Sequence, residues 1–227
     1  MTASRDIKHP VFARLYERLS VKEDERGGHH HRAELLEGAS GRTIEVGAGN
    51  GRNFAHYPAS VSHVLAVEPE PRLRASAARA AAAAKVPIEV VAGVADRLPV
   101  DDGSFDVGVA SLVLCTVPDQ DAALAELRRV IRPGGELRFY EHVVSRRRGV
   151  ARLERALDAT LYPPLAGGCH LARDTLAAIE RAGFDIERCR RFGWGPSATG
   201  PQIAHVVGTA RRSYDAPAGS PPQGTRR

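Results

Sequence analysis

Residues 45–51 read Glu45-Val46-Gly47-Ala48-Gly49-Asn50-Gly51, directly after an apolar stretch that begins at Thr43 and ahead of a helix expected near 51–56. Gly47, Gly49 and Gly51 lack a Cβ, so the chain can turn sharply out of a strand, visit positive φ and let a ligand approach the backbone. Such a turn points to a nucleotide. A second acid refines it: Glu68 lies 21 residues beyond Gly47, at the end of the next apolar run, VLAVEP. A carboxylate at the tip of a second strand accepts hydrogen bonds from both ribose hydroxyls, which suits an adenosine ligand with no 2′-phosphate.

Two ligand classes use such a unit, dinucleotides and S-adenosylmethionine. The usual dinucleotide turn spaces its glycines GxGxxG and aims a helix N-terminus at a pyrophosphate. Here the spacing is GxGxG. Glu45 would also repel a pyrophosphate, whereas it attracts the ammonium and sulfonium of the methyl donor. The turn therefore favours S-adenosylmethionine.

Working outward, 227 residues with 43% hydrophobic content suit one α/β core. No apolar run approaches the ~20 residues of a membrane span, and MTASRDIKHP at the N-terminus is not of signal-peptide type, so no membrane span and a cytoplasmic location are expected. Cys115, Cys169 and Cys189 are odd in number and have no CxxC spacing. They read as reduced thiols, Cys115 and Cys169 in packing roles, with no metal site expected. The net charge of +5 comes from scattered arginines, with lysine only at positions 8, 22 and 85. The densest basic run, Arg146–Arg148, has no interleaved aromatics, so no nucleic-acid partner is expected. Side chains of the run His29–His31 splay on a helix and read as lid or solvent contacts.

Hydrophobic periodicity sets out a βα alternation. Helices near 10–20 and 30–38 form an N-terminal lid, residues 1–40, ahead of a domain at 41–212. Strands are expected near 42–46, 62–67, 88–92, 105–111, 136–143, 185–191 and 202–209. Helices are expected near 51–56, 70–84, 119–131, 150–160 and 173–182, the fourth-strand helix at 119–131 stopped by Pro133-Gly134-Gly135. The Pro, Gly and Ser-rich tail at 213–227 reads as disordered.

EVGAGNG, AVEP with Glu68, LPVDDGSFDVGVAS and LRRVIRPGGELRFYEHV together resemble the class I S-adenosylmethionine-dependent methyltransferases of the ubiquinone and menaquinone biosynthetic type. GRNFAHYP at 51–58, SLVLCTVPDQ at 111–120, EHV at 141–143, GCHLARDT at 168–175 and GPQIAHVVGTA at 200–210 carry a narrower likeness to the methyltransferase-like thiol methyltransferases. The resemblance implies a Rossmann-like, doubly wound, seven-stranded sheet, mostly parallel with an antiparallel last strand, and a ligand over the carboxyl ends of the strands. Those relatives begin with an apolar anchor that this sequence does not show.

By the same resemblance, Glu45, Gly47, Ala48, Gly49 and Gly51 surround the amino-acid part of S-adenosylmethionine, and Glu68 with Pro69 holds the ribose. Ala95 and Asp96 stand where adenine is held, Asp96 having the alternative of a helix N-cap. Ser111 and Leu112 line the methionine portion, joined by Asn53 unless it caps its helix. Tyr16 and Arg14 on the lid are candidates to close over the donor, and Trp194 to line the acceptor pocket.

The implied reaction is in-line displacement at the donor's methyl group, driven by alignment and exclusion of water. A base is needed only for a protonated nucleophile. His142 is one candidate, with a strand-end structural role as its alternative, and His170 is the other. The acceptor is expected to be a small molecule, favoured as a thiol. Quinone precursors, amines, phospholipid head groups and natural-product hydroxyls stay open on this scaffold, as do a donor-binding regulator without turnover and a monomeric or homodimeric state.

Overall fold

The computed structural model describes residues 10–195 and 202–214. Its centre is a seven-stranded sheet of β1 (Gly41–Val46), β2 (Val61–Val67), β3 (Ile88–Val91), β4 (Phe105–Ser111), β5 (Ile131–His142), β6 (Phe184–Trp194) and β7 (Ile203–Arg212), in the order β3-β2-β1-β4-β5-β7-β6. β7 runs antiparallel to both β5 and β6, and the remaining pairs are parallel. This is the seven-stranded, doubly wound sheet with an inserted antiparallel last strand that the family resemblance implies. The strand order reverses between β1 and β4, and a crevice opens at the carboxyl ends there, the place where such sheets bind ligands.

The elements form where local chemistry favours them. α3 (Pro71–Ala81) begins with proline at its first position and with the Glu70 carboxylate accepting from Leu73 N at 2.7 Å. α4 (Gln120–Val130) is capped by Asp119, which accepts from Ala122 N at 2.9 Å, and turns Ala123, Leu124, Leu127 and Val130 into the core. α5 (Arg148–Asp158), α6 (Tyr162–Leu165) and α7 (Thr175–Arg181) follow β5. Core side chains lie on both faces of the sheet, with Ile44, Leu124, Leu137 and Phe139 in one cluster and Val64, Val107, Val109 and Tyr140 in the other.

Three local expectations change. The helix expected at 51–56 is a single 3₁₀ turn, Phe54–His56, because Tyr57 precedes Pro58 and must take extended backbone. β5 starts at Ile131, ahead of Pro133-Gly134-Gly135. The glycines do not delay the strand, because its pairing with β4 shifts register between Phe105 and Val107, and Gly134 takes φ of 75°. The N-terminal helices α1 (Pro10–Glu23) and α2 (His29–Leu36) are joined through a π-helical turn, Asp24–Gly28, that kinks at Gly27. Apart from Ser213 and Tyr214, the tail expected to be disordered lies outside the described residues.

α1 lies over the glycine turn and the start of α3. Glu17 accepts from Arg72 Nη2 at 2.7 Å and from Ser76 Oγ at 2.6 Å, while Asn50 Nδ2 donates to Ser20 Oγ at 2.9 Å. α2 is tied to the sheet by the buried Arg138 of β5, whose Nη1 donates to the Leu35 and Glu37 carbonyls. Among the described residues, no helix is long and apolar enough to cross a membrane.

Candidate active site

Gly47, Gly49 and Gly51 take φ of 64°, 57° and 80°, the left-handed region the sequence pattern requires of them. Gly49 N donates to Glu68 Oε2 at 2.7 Å, and Glu68 Oε1 accepts from Glu70 N at 2.9 Å. One acid thus holds the glycine turn against the end of β2. Each oxygen keeps a lone pair for a ligand hydroxyl. Burial pushes the Glu68 carboxyl up to about 7, against the two backbone donors that favour its charge. Tyr16 of α1 closes the turn from above: a Cβ on Gly49 would lie 3.1 Å from its ring and 3.2 Å from its hydroxyl. Burial pushes the Tyr16 phenol up to about 12. Arg14, its neighbour on α1, is exposed.

Glu45 is at the end of β1 beneath the turn, 1% exposed, and its carboxylate is engaged by the protein: Asn53 Nδ2 donates to it at 2.8 Å and Tyr57 Oη at 2.6 Å. Burial raises it to about 7. Asn53 makes no capping bond; its oxygen accepts instead from Arg32 Nη1 at 3.1 Å. Arg32 also donates to Ser111 Oγ at 3.2 Å and Asp24 Oδ1 at 3.0 Å. Its Nη2 is buried without a hydrogen bond, with Glu23 at 3.7 Å as its ion-pair partner. The chain Tyr57–Glu45–Asn53–Arg32–Ser111 thus links β1, the 3₁₀ turn, α2 and β4. Arg32 and Tyr57 were not singled out from the sequence. In a chain this rich in arginine, nothing local distinguishes a buried one.

Leu112, just past β4, holds φ of 56°, strained for a branched side chain. The surrounding hydrogen bonds enforce it. Leu112 N donates to the Tyr140 carbonyl at 2.6 Å, and the fully buried Glu141 carboxylate accepts from Val113 N at 3.1 Å, Leu114 N at 2.9 Å and Cys115 N at 3.0 Å. Ala95 and Asp96 form an exposed-side turn closed by a bridge between Val94 and Arg97. No helix starts at that turn, so the N-cap alternative for Asp96 is excluded.

At the carboxyl ends of β4 and β5 a second group converges. His142 Nδ1 lies 3.0 Å from Cys169 Sγ and 3.7 Å from Cys115 Sγ, and the two sulfurs are 3.7 Å apart. All three cysteines are free. The contact with Cys115, then His142, holds the Cys169 thiol well below its ordinary range against the opposing effect of burial. Burial works against a charged His142, yet its bond with Cys169 leaves the imidazole above its ordinary value. The two cysteines, expected in packing roles, are buried and also meet His142. His205 stands edge-on to His142 at 4.4 Å between ring centres, and Trp194 edge-on to His205 at 6.0 Å.

His170 is apart from this trio: its Nδ1 faces Asp158 at 3.6 Å, while its backbone N donates to the Cys115 carbonyl at 2.8 Å. His31 of the histidine run packs on Phe192 at 4.1 Å between ring centres.

A glycine turn clasped by an acid at the end of β2, under an N-terminal helix and beside the switch point, is the cradle of one donor class. Residues 44–139 match the methyltransferase domain family. The thiol S-methyltransferase TMT1B of Mus musculus is 35% identical across 88% of this chain and 82% of its own length. The chain belongs to the class I S-adenosylmethionine-dependent methyltransferases. The human TMT1A thiol S-methyltransferase is 36% identical to this methyltransferase over 65% of this chain and 62% of its own. The fold agrees with a solved methyltransferase of Thermotoga maritima, described as a possible histamine N-methyltransferase, at a TM-score of 0.66 and 23% identity, covering 89% of this chain and 97% of that one. It agrees also with a geranyl diphosphate methyltransferase solved in complex with S-adenosylmethionine, at a TM-score of 0.66 and 14% identity, covering 82% and 84%. The methyl donor of this methyltransferase is S-adenosylmethionine.

Proposed function

We propose that this methyltransferase transfers the donor's methyl group to a small thiol. The observation that carries the reading is the extent of the likeness to a thiol S-methyltransferase: it spans 88% of the chain, well beyond the 44–139 domain. The sulfur-rich group at the ends of β4 and β5 supports it.

In this reading Glu68 takes the ribose hydroxyls, with Pro69 beside it, and the backbone of Gly47, Ala48, Gly49 and Gly51 faces the amino-acid portion. Arg32 Nη2, which is short of a hydrogen-bonding acceptor, takes the donor's carboxylate, for which a guanidinium fork is suited. Ser111 and Leu112 border the methionine chain, and the turn at Ala95 and Asp96 borders adenine. Glu45 acts through Asn53, whose amide it orients, rather than by touching the donor. Tyr16 keeps water from the sulfonium, which favours displacement. Trp194 and His205 wall the acceptor side. His142 is the group placed to receive or direct the thiol proton, and His170 supports the loop through Asp158.

An assay of S-adenosylhomocysteine release over thiol, phenol and amine panels tests the acceptor. Turnover is expected with thiols; turnover confined to phenols or amines would sink the thiol reading. Donor binding by calorimetry with no release for any acceptor would favour a donor-binding regulator. Glu68→Ala removes two charge-assisted bonds worth together roughly 3 kcal/mol, so donor affinity should fall roughly a hundredfold. Unchanged affinity would overturn the ribose assignment.

A further inference from the structure

We propose that Cys115, His142 and Cys169 are the three protein ligands of a catalytic zinc site whose fourth position takes the acceptor sulfur. The role of the fourth position rests on the thiol reading above. The metal site does not.

The geometry points to one tetrahedral ion. Zinc bonds of ~2.3 Å to sulfur and ~2.0 Å to nitrogen at tetrahedral angles require edges of ~3.8 Å between two sulfurs and ~3.5 Å between sulfur and nitrogen. The observed edges are 3.7 Å between the sulfurs, and 3.7 Å and 3.0 Å from His142 Nδ1 to Cys115 and Cys169. Each ligand sits on backbone that is fixed independently of the metal. Cys115 ends the turn pinned by Glu141, His142 ends β5, and the residue after Cys169 donates its backbone N–H to the Cys115 carbonyl at 2.8 Å. Both sulfurs are buried, so the ion would be shielded from bulk water.

Three protein ligands with an open fourth position is the pattern of a catalytic rather than a structural zinc. The segment that carries Cys115 adjoins the glycine turn. Val113, two residues before Cys115, packs so closely on the glycine turn that a Cβ on Gly47 would lie 2.3 Å from its methyl group.

Charge explains what such a site does for a thiol. Two thiolates and a neutral imidazole balance the +2 ion, so a thiol that gives up its proton to solvent as it enters makes the centre anionic and its sulfur electron-rich, and with the ion bound His142 Nδ1 serves as a ligand in place of the proton acceptor it is without metal. A sulfur lone pair then forms the new bond to the donor's methyl carbon. The carbon–sulfonium bond breaks, and its electron pair remains on S-adenosylhomocysteine. The thioether product is a weaker ligand than a thiolate, and the next thiol displaces it. No oxidant or reductant is needed.

Cobalt(II) reports the site independently of activity. Full-length protein stripped with a chelator under reducing conditions should take up one equivalent of cobalt(II), developing sulfur-to-metal charge-transfer absorption in the near ultraviolet and strong tetrahedral visible bands that zinc abolishes. Cys115→Ser and Cys169→Ser should each weaken zinc binding by roughly a hundredfold or more, with donor binding by calorimetry serving as the check that both variants are folded. A thiol acceptor should shift the visible bands. Absence of the charge-transfer absorption, or its persistence in the double cysteine variant, would overturn the site. Thiol turnover undiminished in metal-free protein would overturn its catalytic role. Cobalt bands that appear in a protein turning over only phenols or amines would leave the metal site standing and remove the thiol reading alone.

Discussion

The donor side and the acceptor side of the crevice are built by opposite means. The proposed donor side is mostly backbone: a seven-residue stretch and one acid 21 residues beyond Gly47 hold a turn whose shape is fixed by three positive-φ glycines. The proposed acceptor side is side chains, brought by β4, β5 and a distant loop so that their ligand atoms lie within 4.8 Å of one another at Cys115, His142 and Cys169. A backbone cradle recognises what is common to every reaction of the family, the donor. A side-chain cluster can vary with the acceptor without disturbing the cradle. One strut joins them, the Leu112–Cys115 turn held by Glu141.

Removing that strut is the severest way to break the division. Glu141→Ala leaves two buried backbone N–H groups and one partly buried one without an acceptor and lets Leu112 relax, so a stability loss of roughly 3–5 kcal/mol is expected by chemical denaturation. A loss under ~1 kcal/mol would show that the turn holds itself.

Gly47→Ala probes the contact between the two sides. Its Cβ would meet Val113 Cγ2 at 2.3 Å in a backbone with φ of 64°, so a cost of roughly 1–3 kcal/mol is expected together with weaker donor binding. Adding Val113→Ala should recover the steric part and leave the backbone strain; if the second change recovers nothing, the two sides are not in contact through Val113.

The smallest effect sharpens the comparison through pH. The free Glu68 carboxyl titrates at about 7, raised chiefly by burial, and ribose hydroxyls require it ionised. Below that pH the donor must first displace a proton, so affinity should fall by up to tenfold per unit and level off above it. Stability of the free protein runs the other way. A carboxyl raised by folding favours the folded state below its unfolded value of 4.5, and that contribution is lost as pH rises to about 7. Calorimetry across pH 5.5–8.5 should show proton release on donor binding in the wild type and a flatter profile in Glu68→Gln. An identical profile in the variant would place the titrating group elsewhere, Glu45 being the other acid at about 7.

Much of the donor side was legible because its signals are local. GxGxG demands positive φ, and Glu68 follows a second apolar run at a fixed interval. Even there, Glu45 was readable as an acid under the turn but not as one bonded to Asn53 and Tyr57, because Asn53 lies in an irregular stretch that the pattern suggested was helical and Tyr57 just beyond it. Asp96 carried a helix N-cap as the alternative to an adenine contact, and the backbone makes a tight turn there with no helix to cap. On the acceptor side, His142 was legible from its place at a strand end. Cys115 and Cys169, 54 residues apart with no CxxC spacing, read as packing.

The sequence by itself determined the βα order, the glycine turn and the acid at the end of β2, and with them the class of methyl donor, since each depends on conformational preferences and intervals within a short length of chain. The burial of Arg32 between Asn53 and Ser111, the strained Leu112 held by Glu141 and the meeting of two sulfurs with an imidazole were decided only by the tertiary structure. Proximity between side chains distant in sequence depends on how strand ends and loops pack, and no local preference encodes it.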